Sequence, residues 1–188
     1  MHVMLDLETY GVRPGSVIRS IGAVTFDPND ITAKQQEFYI NVDHDSCMEA
    51  GLTVDHSTFL WWQSQLPEAK ELVTKDAVPL KDALSAFRQW FAVNDGLQVW
   101  SQGANFDSVL LEAAMIAAKG YAPWKFYNVR DTRTVYEIAG FDTSTIPREG
   151  VHHYAVDDCK HQIKCIHAAL EKMVIDAMSM NKEVSHGP

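Results

Sequence analysis

The chain lacks paired cysteines, long apolar runs, an excess of positive charge and internal repeats, and each absence removes a class of protein. Cysteine occurs only three times, as Cys47, Cys159 and Cys165, with no CxxC spacing. Cys159 and Cys165 lie six apart within an expected helix, poorly placed to pair. This usage fits a reduced, intracellular protein and not a disulfide-stapled secreted scaffold. No apolar stretch approaches the roughly 18 residues that span a bilayer, so no membrane partner is expected. A secretory leader is not expected either, since the start carries no basic segment and acids arrive by Asp6. The expected location is cytoplasmic. No repeat, low-complexity tract or linker interrupts the 188 residues. One domain over residues 1–180 is expected, with 181–188 as a flexible tail.

Positive charge is scarce: 16 Lys and Arg against 25 Asp and Glu give a formal net charge of −9. That excludes a protein that coats nucleic acid through a broad basic face. It leaves room for a nuclease, because bound divalent ions invert the local charge of an acidic pocket. Hydrophobic residues make up 46% and charged residues 22%, ordinary for a globular chain with a sizeable core.

What the chain does have begins at once. The apolar run Val3-Met4-Leu5 ends in Asp6 and Glu8, followed by Thr9-Tyr10-Gly11. Residues two apart on a strand point to one face, so the two carboxylates stand side by side at its carboxyl end. Like charges about 4 Å apart repel by about 4 kcal/mol at an effective dielectric near 20. A fold keeps such a pair only with a cation between them, and hard divalent cations take oxygen ligands.

Further strands are expected at Ile18–Phe26 and Gln36–Val42, separated by the turn cluster Asp27-Pro28-Asn29-Asp30. A short helix over Val54–Gln65 follows. Another runs from Pro79 to Val93, with Leu80, Leu84, Phe87 and Phe91 as its stripe. Leu97–Ser101 reads as a fourth strand. Phe106 to Ala118 reads as a helix capped by Asn105, with Val109, Leu110, Ala113 and Ala117 on one side. Phe126–Val129 is a short strand, and Asp131 caps a helix ending at Ile138 or Ala139. After a polar loop over Phe141–Val151, the last helix spans His153–Met178. Strands first, then strands alternating with helices, predict an α/β mixed sheet covered on both faces. Ligands in such sheets gather at the carboxyl ends of strands, where Asp6 and Glu8 sit.

Two more acids matter. Asp107 falls in the first turn of its helix, where the helix dipole favours an acid. Along the last helix, Val156, Cys159, Ile163, Ile166, Leu170 and Met173 form the apolar stripe, and Asp157, Lys160, His161 and Lys164 face water. Asp158 sits on the border beside Ala155 and Gln162. An acid at the edge of a buried face needs a partner.

Asp6-x-Glu8, Asn105-Phe106-Asp107 and His153-x-Ala155-x-x-Asp158 together resemble the three-motif signature of the DEDDh (DnaQ-like) 3′–5′ exonucleases, over roughly residues 3–170. The chain is similar to the branch containing the T-even phage exonuclease A and the mycobacterial exoribonuclease-like proteins. Ser57 to Ala69, Asn128 to Thr134 and the Asp158-Cys159 pair add to that likeness. Each motif alone is common; their order carries the resemblance. It implies an RNase H-like fold: a five-stranded mixed sheet, first three strands antiparallel, flanked by helices. It also implies two Mg²⁺ or Mn²⁺ ions. Asp6 would bridge both, Glu8 and Asp158 would complete the first, and Asp107 would hold the second. His153 would be the general base. The implied substrate is the 3′ end of single-stranded DNA or RNA, in a bacterial or phage-infected cytoplasm. Related exonucleases are often dimers, so the resemblance admits a homodimer.

His152 to Asp157 repeats the five-residue spacing of His153 to Asp158. The family's small residue two after the histidine selects His153, and the helix face separately selects Asp158. Expected substrate contacts are Thr9 and Tyr10 beside the first acids, Phe106 beside Asp107, and Trp61, which lies off the Phe59, Trp62 and Leu66 stripe. Arg130, Arg133 and Arg148 are candidates for phosphate, with Arg130 preferred. Two rivals compete with this reading. A haloacid-dehalogenase-type phosphatase wants Asp-x-Asp and a lysine, and Glu8 fits it poorly. A catalytically silent nucleic-acid-binding domain would have lost an acid or the histidine, and none is lost.

Overall fold

The computed structural model describes residues 1–65 and 67–184. Its centre is β1 (His2–Thr9), which is buried along most of its length. β2 (Ile18–Phe26) pairs antiparallel with it, and β3 (Glu37–Asn41) pairs antiparallel with β2. On the other side of β1, β4 (Gln98–Ser101) and β5 (Val129–Asp131) add in parallel. The order is β3-β2-β1-β4-β5. The five-stranded mixed sheet with its first three strands antiparallel is thus present, as expected.

Alternation along β1 divides the core. Val3, Leu5 and Leu7 face α4 (Leu80–Val93) and α5 (Asp107–Ala117), whose Leu80, Phe87, Leu110 and Leu111 join the same cluster. Met4 faces the opposite side with α6 (Thr132–Ala139) and α7 (Ala155–Val184), through Tyr136, Val156, Cys159 and Ile163. Asp6 and Glu8 continue the Met4 row and so point toward the start of α7.

The Leu80, Leu84, Phe87 and Phe91 stripe of α4 is buried as predicted. That of α5 is rotated: Leu110, Leu111, Ala114 and Met115 are buried, not Val109, Ala113 and Ala117. The cause lies in the first turn, where Asp107 Oδ1 accepts a hydrogen bond from Leu7 N at 3.0 Å and turns the 107–111–114 face inward. Asn105 is not the cap; Phe106 holds that position without a side-chain bond. Two short helices were not expected, α1 (His44–Glu49) and α3 (Pro67–Leu72), on either side of α2 (His56–Ser64). Phe126–Asn128 is a 3₁₀ turn, with strand only from Val129.

α7 starts at Ala155 because His153 has φ +63°, a left-handed value that a helix cannot contain. It runs past Met178 to Val184, into the expected tail; the rest of that tail, 185–188, lies outside the described residues, as does Leu66. Cys47, Cys159 and Cys165 are free and buried. No helix among the described residues is long and apolar enough to cross a membrane.

Candidate active site

The site exists because α7 approaches the sheet closely. Gly22 lies opposite Asp6 in the β1–β2 register. A Cβ on it would stand 2.5 Å from Ala155 Cβ and 2.6 Å from Ala155 C. With glycine there and alanine facing it, the helix start rests on the sheet, and Cys159 Sγ lies 3.5 Å from Met4 O and 3.6 Å from Gly22 O. Asp158 and Gln162, one turn apart, then project over the end of β1. Gln162 Nε2 donates to Asp6 Oδ1 at 2.9 Å.

A cavity of about 730 Å³ opens here. Asp6, Glu8, Asp107, His153 and Asp158 all line it, as do Thr9, Trp61 and Phe106. The acids are largely withdrawn from water: Glu8 is 7% exposed, Asp107 3% and Asp158 5%. Burial, then the charges of Asp107, Glu8 and Asp158, hold the Asp6 carboxyl well above the usual range. Burial raises Glu8 as well, against the neighbouring His153. Burial pushes Asp107 up to about 7, although the Leu7 N–H pulls the other way. Such a crowd resists ionisation unless positive charge joins it.

His153 Nδ1 lies 3.6 Å from Glu8 Oε1, a charge contact longer than a good hydrogen bond. That carboxylate raises the imidazole pKa, more than burial lowers it. The Trp61 ring meets the His153 ring edge-on at 4.9 Å between centroids. Trp62 Nε1 donates to Thr9 O at 2.8 Å and fastens α2 to the end of β1. Glu8, His153 and Asp158 each offer one ligand atom, all within 4.8 Å of one another. The four carboxylates that line the cavity are the oxygen donors a hard divalent cation takes, so the residues present fit a metal centre.

Two expected substrate residues are elsewhere. Tyr10 does not line the cavity; its ring packs against Phe59 at 5.8 Å and His44 at 5.6 Å, with the Arg19 guanidinium 4.5 Å from its centroid. β1 ends at Thr9, so strand alternation does not extend to Tyr10, and Thr9 but not Tyr10 reaches the cavity. Arg130 is also outside, with Nη1 donating to Tyr127 O and Val129 O, both at 2.9 Å. Arg133 and Arg148 line the cavity in its place. Arg148 pairs directly with Asp158.

Asp157 turns away and accepts from Val151 N at 2.9 Å, while Asp158 enters the cavity. The second histidine–aspartate frame is the one that faces the other acids. His161 was expected in water and instead lines the cavity, because the 141–151 loop brings Thr143 and Arg148 over that flank. No helical wheel carries that information. Gln162 was legible as the residue one turn beyond Asp158, on the same face, but its bond to Asp6 was not. Its Oε1 and His161 Nδ1 have no hydrogen-bond partner among the described residues. No lysine lines the cavity among the described residues.

No curated protein sequence matches the chain. Two solved structures share its fold at 14% identity. One is the nuclease domain of 3′hExo, a DEDDh family member bound to rAMP (TM-score 0.54, 90% of this chain and 91% of that one). The other is E. coli Exonuclease I in complex with a 5cy-dA13 oligonucleotide (TM-score 0.58), where the match covers 92% of this chain and 40% of that one. A family model matches residues 1–170, and the chain therefore belongs to the 3′–5′ exoribonuclease Rv2179c-like domain family.

Proposed function

We propose that the protein is a divalent-metal-dependent 3′–5′ exonuclease acting on single-stranded 3′ ends. RNA is the first substrate to test, given the family's description. The observation that carries this reading is the convergence of Asp6, Glu8, Asp107, Asp158 and His153 on one cavity at the carboxyl end of β1.

Asp6, Glu8, Asp107 and Asp158 would hold two Mg²⁺ or Mn²⁺ ions, with charge −4 matched by +4. When bound, such ions neutralise the scissile phosphate, make water a stronger nucleophile at neutral pH and stabilise the departing 3′ oxygen. His153, on a turn outside the helix, takes the proton of the attacking water at its free ring nitrogen. Glu8 orients that ring from the Nδ1 side. Gln162 fixes the rotamer of Asp6. Arg148 neutralises Asp158 until cation and substrate arrive, and with Arg133 then faces the phosphates. Trp61, 43% exposed, and Phe106 offer ring faces to the terminal bases.

The test uses 5′-end-labelled single-stranded RNA and DNA with Mg²⁺, Mn²⁺ or EDTA. Stepwise shortening from the 3′ end, abolished by EDTA and by Asp107→Asn, is expected. An intact label ladder with every cation would support the silent binding domain instead.

A further inference from the structure

Among the described residues, the three most exposed aromatic side chains lie on one connection, between α5 and β5: Tyr121 (68%), Phe126 (87%) and Tyr127 (56%). The connection is anchored. Trp124, in its middle, is buried with its ring centroid 6.3 Å from Phe87 and 6.1 Å from Phe91. At its far end Arg130 bonds back to two carbonyls. The outer rings are therefore held out on a fixed base, at a standing cost in apolar exposure that function has to explain.

The charge of this segment differs from that of the chain. No acid occurs between Glu112 and Asp131, although acids outnumber bases 25 to 16 overall. Lys119 and Lys125 are exposed within it. The Arg88 guanidinium lies 3.9 Å from the Tyr121 centroid, and Lys125 Nζ lies 5.8 Å from that of Tyr127. Open aromatic faces beside cations are the requirements of a single-strand platform, where bases stack and phosphates meet positive charge. The segment enters β5 at its amino end, and that strand runs along the sheet toward the cavity at the carboxyl ends. β5 has three residues, about 10 Å at 3.3 Å each, and Arg133 in the cavity wall follows two positions later.

We infer that this connection docks the single-stranded nucleic acid upstream of the end held in the cavity. Bases stack on Phe126, Tyr127 and the open face of Tyr121, and Lys119 and Lys125 contact phosphates. A second copy of the chain suits the surface less well, because an isologous contact on this segment would gather the lysines of both copies with no acid of the segment to meet them. The inference rests on the exonuclease reading only for which part of the strand is bound.

Two variants test it, Tyr121→Ala/Phe126→Ala/Tyr127→Ala and Lys119→Glu/Lys125→Glu, each checked by thermal melting. Binding to labelled single strands is measured by anisotropy in EDTA, and kcat/KM on a dinucleotide is measured with Mg²⁺. Both variants should bind a strand of about 12 nucleotides at least roughly ten-fold more weakly. The lysine variant should lower the salt slope by about 1.4, the value for two phosphate contacts on a single strand. Dinucleotide turnover should be unchanged. Wild-type affinity and salt slope in both variants would overturn the inference. So would a wild-type dimer that the aromatic variant splits, which would make the surface a self-interface. A wild-type protein that never turns over the dinucleotide would count against the exonuclease reading, while the binding arm would still decide this one.

Discussion

In the proposed mechanism His153 meets two opposed demands. Glu8 beside it favours the charged ring, whereas a general base must be neutral. Turnover should therefore rise with pH through the histidine's raised pKa. His153→Ala should lower kcat about 10²- to 10⁴-fold and flatten that limb in a pH–rate profile, with the fold retained. Neighbouring acids divide in the same way. Asp158→Asn should abolish activity, and Asp157→Asn should leave it near wild type, its cost being a loosened Val151 turn; equal losses would mean that the other frame is used. At this scale the motif acids were readable because spacing fixes which faces they share. Tyr10 was not, since β1 ends at Thr9 and its two-residue alternation says nothing about the side chain beyond. Nor was the choice of Arg133 and Arg148 over Arg130, which depends on where a loop folds.

Between elements, the decisive contact joins β2 and α7. Gly22→Ala puts a methyl into Ala155, and overpacking of this kind costs about 1–3 kcal/mol. The larger effect should be on activity, because lifting the helix start moves Asp158 and Gln162 away from Asp6. Adding Ala155→Gly should recover only part of it, as the Ala155 C and Val156 N atoms also lie within 3 Å of the added carbon. Melting temperature and kcat measured together separate the two losses. β2 and α4 were legible through alternation and a strong apolar stripe. α1 and α3, six residues each, are too short to show a period. The apolar stripe of α5 does not show its buried face, because one hydrogen bond, from Leu7 N to Asp107 Oδ1, outweighs composition in setting its rotation.

For the whole molecule, the crowded acids couple stability to pH and, on the proposed metal binding, to divalent cations. Asp107 has a folded pKa of about 7 against an ordinary 3.8, so the folded state holds the proton more tightly. The stability that this proton contributes is complete below pH ~4 and is lost as pH rises through about 7. Asp6 and Glu8, also raised, act in the same direction. Metal-free protein should therefore melt at a higher temperature at pH 5.5 than at pH 8. Adding Mn²⁺ should raise the melting temperature more at pH 8 than at pH 5.5, and an equal rise at both would contradict this. Asp107→Asn should melt several degrees above wild type in chelator at pH 8, and the gap should close toward pH 5.

The same carboxylate repulsion bears on how long each molecule survives in a cell. On the proposed metal binding, protein without ions should open more often, and opened chains are what degradative enzymes capture. Nicking by a nonspecific protease should be fastest in EDTA at alkaline pH and slowest with Mn²⁺ present. Shortage of divalent ions would then remove unloaded copies and leave the surviving pool enriched in competent ones.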